Sequence, residues 1–117
     1  MLAETIAHRN VYIVCGYTDM RKSISGLVAV ITQQYGLQPD AESLFLFCGK
    51  RSDRIKALLW EGDGFLLLYK RIEDGAFSWP QTPDEAAELT REQYFLLMNG
   101  LNPITPKIKQ VFPRSIY

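Results

Sequence analysis

Two groups of basic side chains carry the clearest chemistry in this 117-residue sequence. The first is the pair Arg21 and Lys22, in the stretch GYTDMRKSISGL (16–27). If Asp19 begins a helix, both cations lie in its first turn, beside backbone N–H groups that already carry partial positive charge. A phosphate bound at that helix start would stabilise both cations, so the pair is a candidate anion site. The alternative is that Asp19 caps the helix while the two side chains extend into water, paired weakly with an acidic neighbour.

A second group of cations lies between residues 50 and 71, where six basic side chains outnumber three acidic ones. The six are Lys50, Arg51, Arg54, Lys56, Lys70 and Arg71. If a hairpin in this segment turns at Asp63, Lys56 faces Lys70, and all six cations lie at the end away from the turn. Like charges that face each other destabilise a strand pair, so the grouping indicates an external anion, usually phosphate. The alternative is that these cations protect strand edges from aggregation.

Catalytic chemistry has little support in the sequence. The single histidine, His8, lies near the N-terminus, and no Ser or Cys has an identifiable base partner. Several carboxylates raise the alternative of a small metal-dependent nuclease, although three of the five lie in turns where Asp is common. These carboxylates are Asp19, Asp53, Glu61, Asp63 and Asp74. We therefore predict no catalytic residue, no metal site and no cofactor.

The formal net charge is zero, but the charges are segregated along the chain. Residues 50–71 have a local balance of +3, and residues 72–92 carry six acidic side chains against one basic side chain. Such a molecule can bind an anion on one side and a basic partner on the other. A protein–protein adaptor that never contacts DNA is therefore an alternative to a DNA-binding protein.

The chain length and composition predict a single packed domain. An apolar fraction of 47% is typical of a globular protein, and no apolar run is long enough to span a membrane. The N-terminus has no signal-peptide pattern, so we predict a cytoplasmic protein without membrane contact. Cys15 and Cys48 each lie in an apolar segment and are predicted to be reduced core thiols.

Several elements would position these cations. VYIVCG (11–16) predicts a buried strand, and apolar residues at helical spacing from Met20 to Tyr35 predict one long amphipathic helix that ends at Gly36. An antiparallel meander of about four strands follows. Its strands are LFLFC (44–48), IKALLWE (55–61), FLLLYKRI (65–72) and AFSW (76–79). We expect most of the aromatic residues at positions 60, 65, 69, 77 and 79 to pack in the core.

The C-terminal part of the sequence favours helices. TPDEAAEL (82–89) predicts a short helix, and a second helix capped near Thr90 would run to Gly100. The last residues contain three prolines and no helical or strand period, so 102–117 is predicted to be an extended or disordered tail. Residues 1–101 would form the single domain.

Three sequence blocks carry a resemblance to a known family. The blocks are GYTDMRKSISGL, LFLFCGKRSDRIKALLWEGDGFLLLYKRIEDGAFSWP and LTREQYFLLMNGL. In this order they resemble the small accessory proteins of family 66 insertion sequences, often labelled TnpB or second open reading frame. Two differences are local: CGKRSDR is less basic than the Arg-richer versions of this loop, and WEGDG has Glu where Asp is usual.

The resemblance implies a non-catalytic helper for DNA transposition, encoded beside the transposase and working with it or with element DNA. It supplies no catalytic residues. The basic residues that match the family pattern are Arg21, Lys22, Arg51, Arg54, Lys56, Lys70 and Arg71. We therefore predict an α+β accessory protein whose cations, including Lys50, contact the phosphates of element DNA, with the transposase and other proteins of the element as further partners.

Overall fold

The computed structural model describes residues 9–81 and 86–99. Its strands are β1 (Asn10–Val14), β2 (Ser43–Cys48), β3 (Arg54–Trp60), β4 (Phe65–Arg71) and β5 (Ala86–Leu89). Its helices are α1 (Ile24–Ala29), which continues as a π-helical segment over Val30–Gln34, and α2 (Arg91–Met98). The strands form one sheet in the order β4-β3-β2-β1-β5. β1 and β2 are parallel, and all other neighbours are antiparallel.

The first helix connects the two parallel strands. Parallel neighbours need a crossover connection, and α1 with its π-helical segment supplies it between β1 and β2. Leu27 and Ile31, one helical turn apart, are fully buried against the sheet. Gly36 adopts a φ of 65°, so the helix ends at the glycine that the sequence predicts.

Each face of the sheet is covered by different elements. We call the face covered by α1 the helix face. On it, Phe45, Phe47 and Leu58 pack with α1. On the opposite face, the sheet residues pack with the segment 72–81 and with α2. The central strand β2 is buried along its whole length because both of its faces are covered.

The predicted arrangement of a four-strand antiparallel meander with one long helix is wrong, although the α+β class stands. The sheet has five strands and is mixed, because β1 enters it parallel to β2. The first helix is short because it begins after Ser23 rather than at Asp19. Residues 19–22 form a turn instead, in which the Lys22 N–H donates to the Asp19 carbonyl at 3.1 Å.

Two further predictions about the second half of the chain are wrong. Residues 76–79 are not a strand but cross the opposite face of the sheet, where the Trp79 indole N–H donates to the Val14 carbonyl at 2.9 Å. Ala86–Leu89 form β5 rather than the end of a helix, because pairing with β1 satisfies their backbone groups. The first half of that predicted helix, 82–85, lies outside the described residues.

Two other local predictions are confirmed, the cap of α2 and the burial of both cysteines. Thr90 caps α2 in a capping box with Gln93, although the predicted end at Gly100 lies outside the described residues. Cys15 and Cys48 are buried and do not form a disulfide, and burial raises the pKa of Cys48 to about 12. Within 9–81 and 86–99, no helix has the length and apolarity that a membrane crossing needs. The predicted tail, 102–117, lies outside the described residues.

Candidate functional site

Three segments of the chain meet at one end of the sheet. Because β1 and β2 are parallel, both finish at this end, where β3 begins and β4 finishes. The loop after β1, the loop between β2 and β3, and the last residues of β4 therefore lie close together. We call the surface formed by residues 16–23, 49–56 and 69–71 the basic end.

The loops at the basic end are fixed to each other by short contacts. The Thr18 N–H donates to the Cys48 carbonyl at 2.8 Å, and the Ser52 hydroxyl donates to the Tyr17 hydroxyl at 3.3 Å. Gly49 lies directly beneath Met20, and a Cβ at Gly49 would be 2.5 Å from the Met20 Cγ. The GYTDMRK and CGKRSD stretches of the sequence thus form one packed unit.

Lys56 connects β3 to the loop that follows β1. Its ammonium donates to the carbonyls of Met20 at 2.8 Å and Lys22 at 3.0 Å. The same Nζ lies 5.8 Å from the centroid of the Tyr69 ring on β4. Lys56 therefore positions the loop, while its positive charge still contributes to the field of the basic end.

Arg21 is paired within its own turn. Its guanidinium makes hydrogen bonds of 2.9–3.2 Å to both carboxylate oxygens of Asp19, and its backbone N–H donates to the same carboxylate at 2.9 Å. These bonds lower the pKa of Asp19 from 3.8 to about 2. The predicted placement of Arg21 and Lys22 in the first turn of a helix is wrong, because both residues precede α1. Anion binding by these two cations stays a prediction. For Arg21, pairing with an acidic neighbour is the arrangement that the structure shows.

We expect Arg21→Gln to raise the pKa of Asp19 from about 2 toward 3.8. Because the folded-state pKa is lowered, the pair stabilises the fold above about pH 3.8, and this contribution is lost as the pH falls toward about 2. An NMR titration of the Asp19 carboxyl carbon measures the shift. Lys22→Gln is the matched control, because Lys22 makes the smallest contribution to the lowered pKa. An unchanged Asp19 titration in Arg21→Gln would contradict the pairing.

Lys50 and Arg51 occupy the tip of a tight turn. The Ser52 N–H donates to the Gly49 carbonyl at 2.9 Å, which closes the turn, and Ser52 has a φ of 60°. Both basic side chains are exposed. The turn therefore presents two adjacent cations to solvent.

The β3–β4 register differs by one residue from the predicted one. Arg54 pairs with Arg71, and Lys70 pairs with Ile55 rather than with Lys56. Since side chains alternate along a strand, Arg54 and Arg71 lie on the helix face and Lys70 lies on the opposite face. Each of the two arginines forms an ion pair with a carboxylate. Arg54 Nε is 3.4 Å from Asp53 Oδ1, and Arg71 Nε is 3.2 Å from Glu73 Oε2.

All eight basic residues singled out in the sequence thus lie at the same end of the sheet. Lys70 lies on the opposite face of the sheet from Arg54, Lys56 and Arg71. Three of the eight form ion pairs, as described above. The other five form no ion pair with any residue of 9–81 or 86–99. These five are Lys22, Lys50, Arg51, Lys56 and Lys70.

Sequence reasoning missed two features of this surface. Tyr17 was not singled out, yet the residue is 49% exposed beside the loop that carries Lys50 and Arg51. Tyr69 belongs to the five aromatic residues most of which were expected in the core, and it is 54% exposed. The two cations that follow it, Lys70 and Arg71, could have indicated its exposure, because the last three residues of β4 are all exposed. No group of three or more His, Cys, Asp or Glu suited to a metal ion occurs in the described ranges.

Comparison with known sequences gives consistent matches over most of the chain. A family model described as "IS66 Orf2 like protein" (TnpB_IS66) matches residues 9–107. The uncharacterized protein y4jC of Sinorhizobium fredii (strain NBRC 101917 / NGR234) is 34% identical over 93 residues, 80% of either chain. The uncharacterized protein y4hO of the same strain is 30% identical over 92 residues, 79% of this chain and 80% of its own. No solved structure matches significantly.

Proposed function

Because the chain belongs to the family of IS66 Orf2-like proteins, we propose that it is a non-catalytic accessory factor of transposition that binds DNA phosphates through its basic end. Membership of this family associates the protein with IS66 transposition. The contact with element DNA and the cooperation with the transposase are the proposed steps.

The observation that carries the proposal is the convergence of cations from three separate segments. Arg21 and Lys22 follow β1, Lys50 and Arg51 follow β2, and Arg71 ends β4. If these charges served only to protect strand edges from aggregation, they could be distributed over both ends of the sheet. Their collection at one end creates a positive field suited to a polyanion.

The existing ion pairs are compatible with phosphate binding. The Arg71–Glu73 pair is exposed, with side-chain exposures of 52% and 79%, so it contributes at most about 1 kcal/mol to stability. An arginine held so weakly can exchange the carboxylate for a phosphate, which a guanidinium can bind through two N–H groups. Phosphate contacts of this kind position a protein on DNA without reading its sequence.

A salt series with labelled element-end DNA tests the proposal. With about five phosphate contacts, the slope of log K against log salt concentration should be about −4 to −5 for duplex DNA. An unrelated duplex of equal length should bind with the same slope, because phosphates carry no sequence information. Absence of binding at low salt contradicts the proposal, and retention of the transposase under those conditions would favour the adaptor alternative.

A further inference from the structure

Exposed aromatic rings are concentrated near the basic end. Within the described residues, three large hydrophobic side chains are exposed: Tyr17 at 49%, Tyr69 at 54% and Phe95 at 67%. Two of the three belong to the basic end, whereas Phe95 lies on α2, which covers the opposite face of the sheet. Other aromatic residues of this chain, such as Phe45 and Phe47, are buried. The two tyrosines are therefore solvent-exposed aromatic side chains surrounded by basic residues.

The hydroxyl of Tyr17 is bound to the neighbouring loop. The hydroxyl accepts a hydrogen bond from Ser52 at 3.3 Å, in the turn whose tip carries Lys50 and Arg51. Half of the residue remains exposed. This hydrogen bond restricts the orientations of the exposed ring, which lowers the entropy cost when another flat group stacks on it.

Tyr69 is fixed in a different way. It lies opposite Lys56 in the β3–β4 pair, and the Lys56 ammonium is 5.8 Å from its ring centroid. That ammonium is itself fixed by the carbonyls of Met20 and Lys22. Arg71, two residues farther along β4, lies on the same face of the sheet as Tyr69, so this ring is also near a guanidinium that can bind phosphate, whereas Lys70 lies on the opposite face.

We propose that the basic end binds single-stranded DNA, with Tyr17 and Tyr69 stacking on unpaired bases while the neighbouring cations hold the phosphates. The inference rests on the proposed function, in which the same cations bind DNA. Base faces are covered in a duplex and accessible in a single strand, so exposed rings among cations favour the unpaired form. Stacking of this kind tolerates any base sequence, because every base has a flat face.

The experiment compares a fluorescein-labelled 15-residue oligothymidine with a 15-base-pair duplex by fluorescence anisotropy. The wild-type protein should bind the single strand more tightly than the duplex. Tyr17→Leu and Tyr69→Val should each weaken oligothymidine binding by about tenfold and duplex binding by less than twofold. Valine is chosen at position 69 because it preserves the strand preference of β4.

Matched variants separate stacking from structural effects. Tyr69→Phe keeps the ring and should retain affinity. Tyr17→Phe also keeps the ring but loses the hydrogen bond with Ser52, so it should lose less affinity than Tyr17→Leu. Phe95→Leu removes an exposed ring from α2 and should change nothing. Equal losses on both forms of DNA, or a loss in Phe95→Leu as large as in the tyrosine variants, would overturn the inference. If the duplex binds with a steep salt dependence and the single strand binds no better, the inference fails and the proposed function stands. If neither DNA binds, both fail.

Discussion

Reversing two charges, in the double variant Lys50→Glu/Arg51→Glu, should weaken binding to duplex DNA by at least about 100-fold in about 0.1 M salt. Each of these exposed cations can make a charge-assisted contact with a phosphate, worth about 1.5–3 kcal/mol. Loss of two such contacts should also make the salt slope shallower by about 2. Fluorescence anisotropy with labelled duplex, repeated across salt concentrations, measures both quantities.

Arg91→Glu is the control for a general effect of charge. It changes the net charge by the same amount as either single reversal, but Arg91 lies at the start of α2 rather than at the basic end. Its effect on affinity should be within about threefold, because charges farther away than about 10 Å are largely screened at 0.1 M salt. Equal losses in Arg91→Glu and Arg51→Glu would indicate attraction to the whole protein and would refute a localised phosphate surface.

Replacement of Trp79 should have the largest effect on stability. Trp79 is 5% exposed on the opposite face of the sheet, and its indole N–H donates to the Val14 carbonyl at the end of β1. Trp79→Ala should lower the free energy of unfolding by about 3–5 kcal/mol, because it leaves a cavity and removes the hydrogen bond to the Val14 carbonyl. Urea unfolding followed by far-UV circular dichroism measures the change.

Phenylalanine variants at both tryptophans separate the hydrogen bond from the apolar packing. Trp79→Phe keeps most of the buried ring but removes the donor to Val14, so it should cost about 1–3 kcal/mol. Trp60→Phe should cost less, because Trp60 is only partly buried and packs edge-on against Phe65 with ring centroids 4.9 Å apart. The assignment would fail if both phenylalanine variants were equally stable.

Local signals in the sequence predict those elements whose cause is also local. The spacing of Leu27 and Ile31 predicts the buried side of α1, and Thr90 with Gln93 predicts the cap of α2. Gly36 predicts the end of the first helix because only a few residues accept its positive φ. In each case the interacting residues lie within a few positions of one another.

Predictions failed where a distant partner decides the conformation. AAEL (86–89) consists mostly of good helix formers, yet it is a strand because β1 offers it an unpaired edge. The same limit applies to the β3–β4 hairpin, where the turn shifts the pairing by one residue and moves Lys70 to the other face. The conformational preferences of single residues do not indicate which strand will pair with them, or in which register.

In the candidate site, too, features with a local cause could be predicted and features that depend on distant residues could not. The grouping of Lys50, Arg51, Arg54 and Arg71 at one end could be inferred from the hairpin, since it follows from chain reversal. The carbonyl contacts of Lys56 could not be inferred, because they join it to residues 34 and 36 positions away. The pairing of Asp19 with Arg21 is local, and an Asp two residues before an Arg at a turn is its signal.

The position of β1 between β2 and β5 has a consequence for the order of folding. Val11 pairs with Leu44 on one side and with Leu89 on the other, so the earliest strand to be synthesised is among the last to be completed. The β3–β4 hairpin needs only neighbouring residues and can form early. The pairing of β1 is complete only when β5, which is translated much later, is available. A nascent or truncated chain that stops before Ala86 leaves one edge of β1 open, and an open apolar edge is a template for association with other chains.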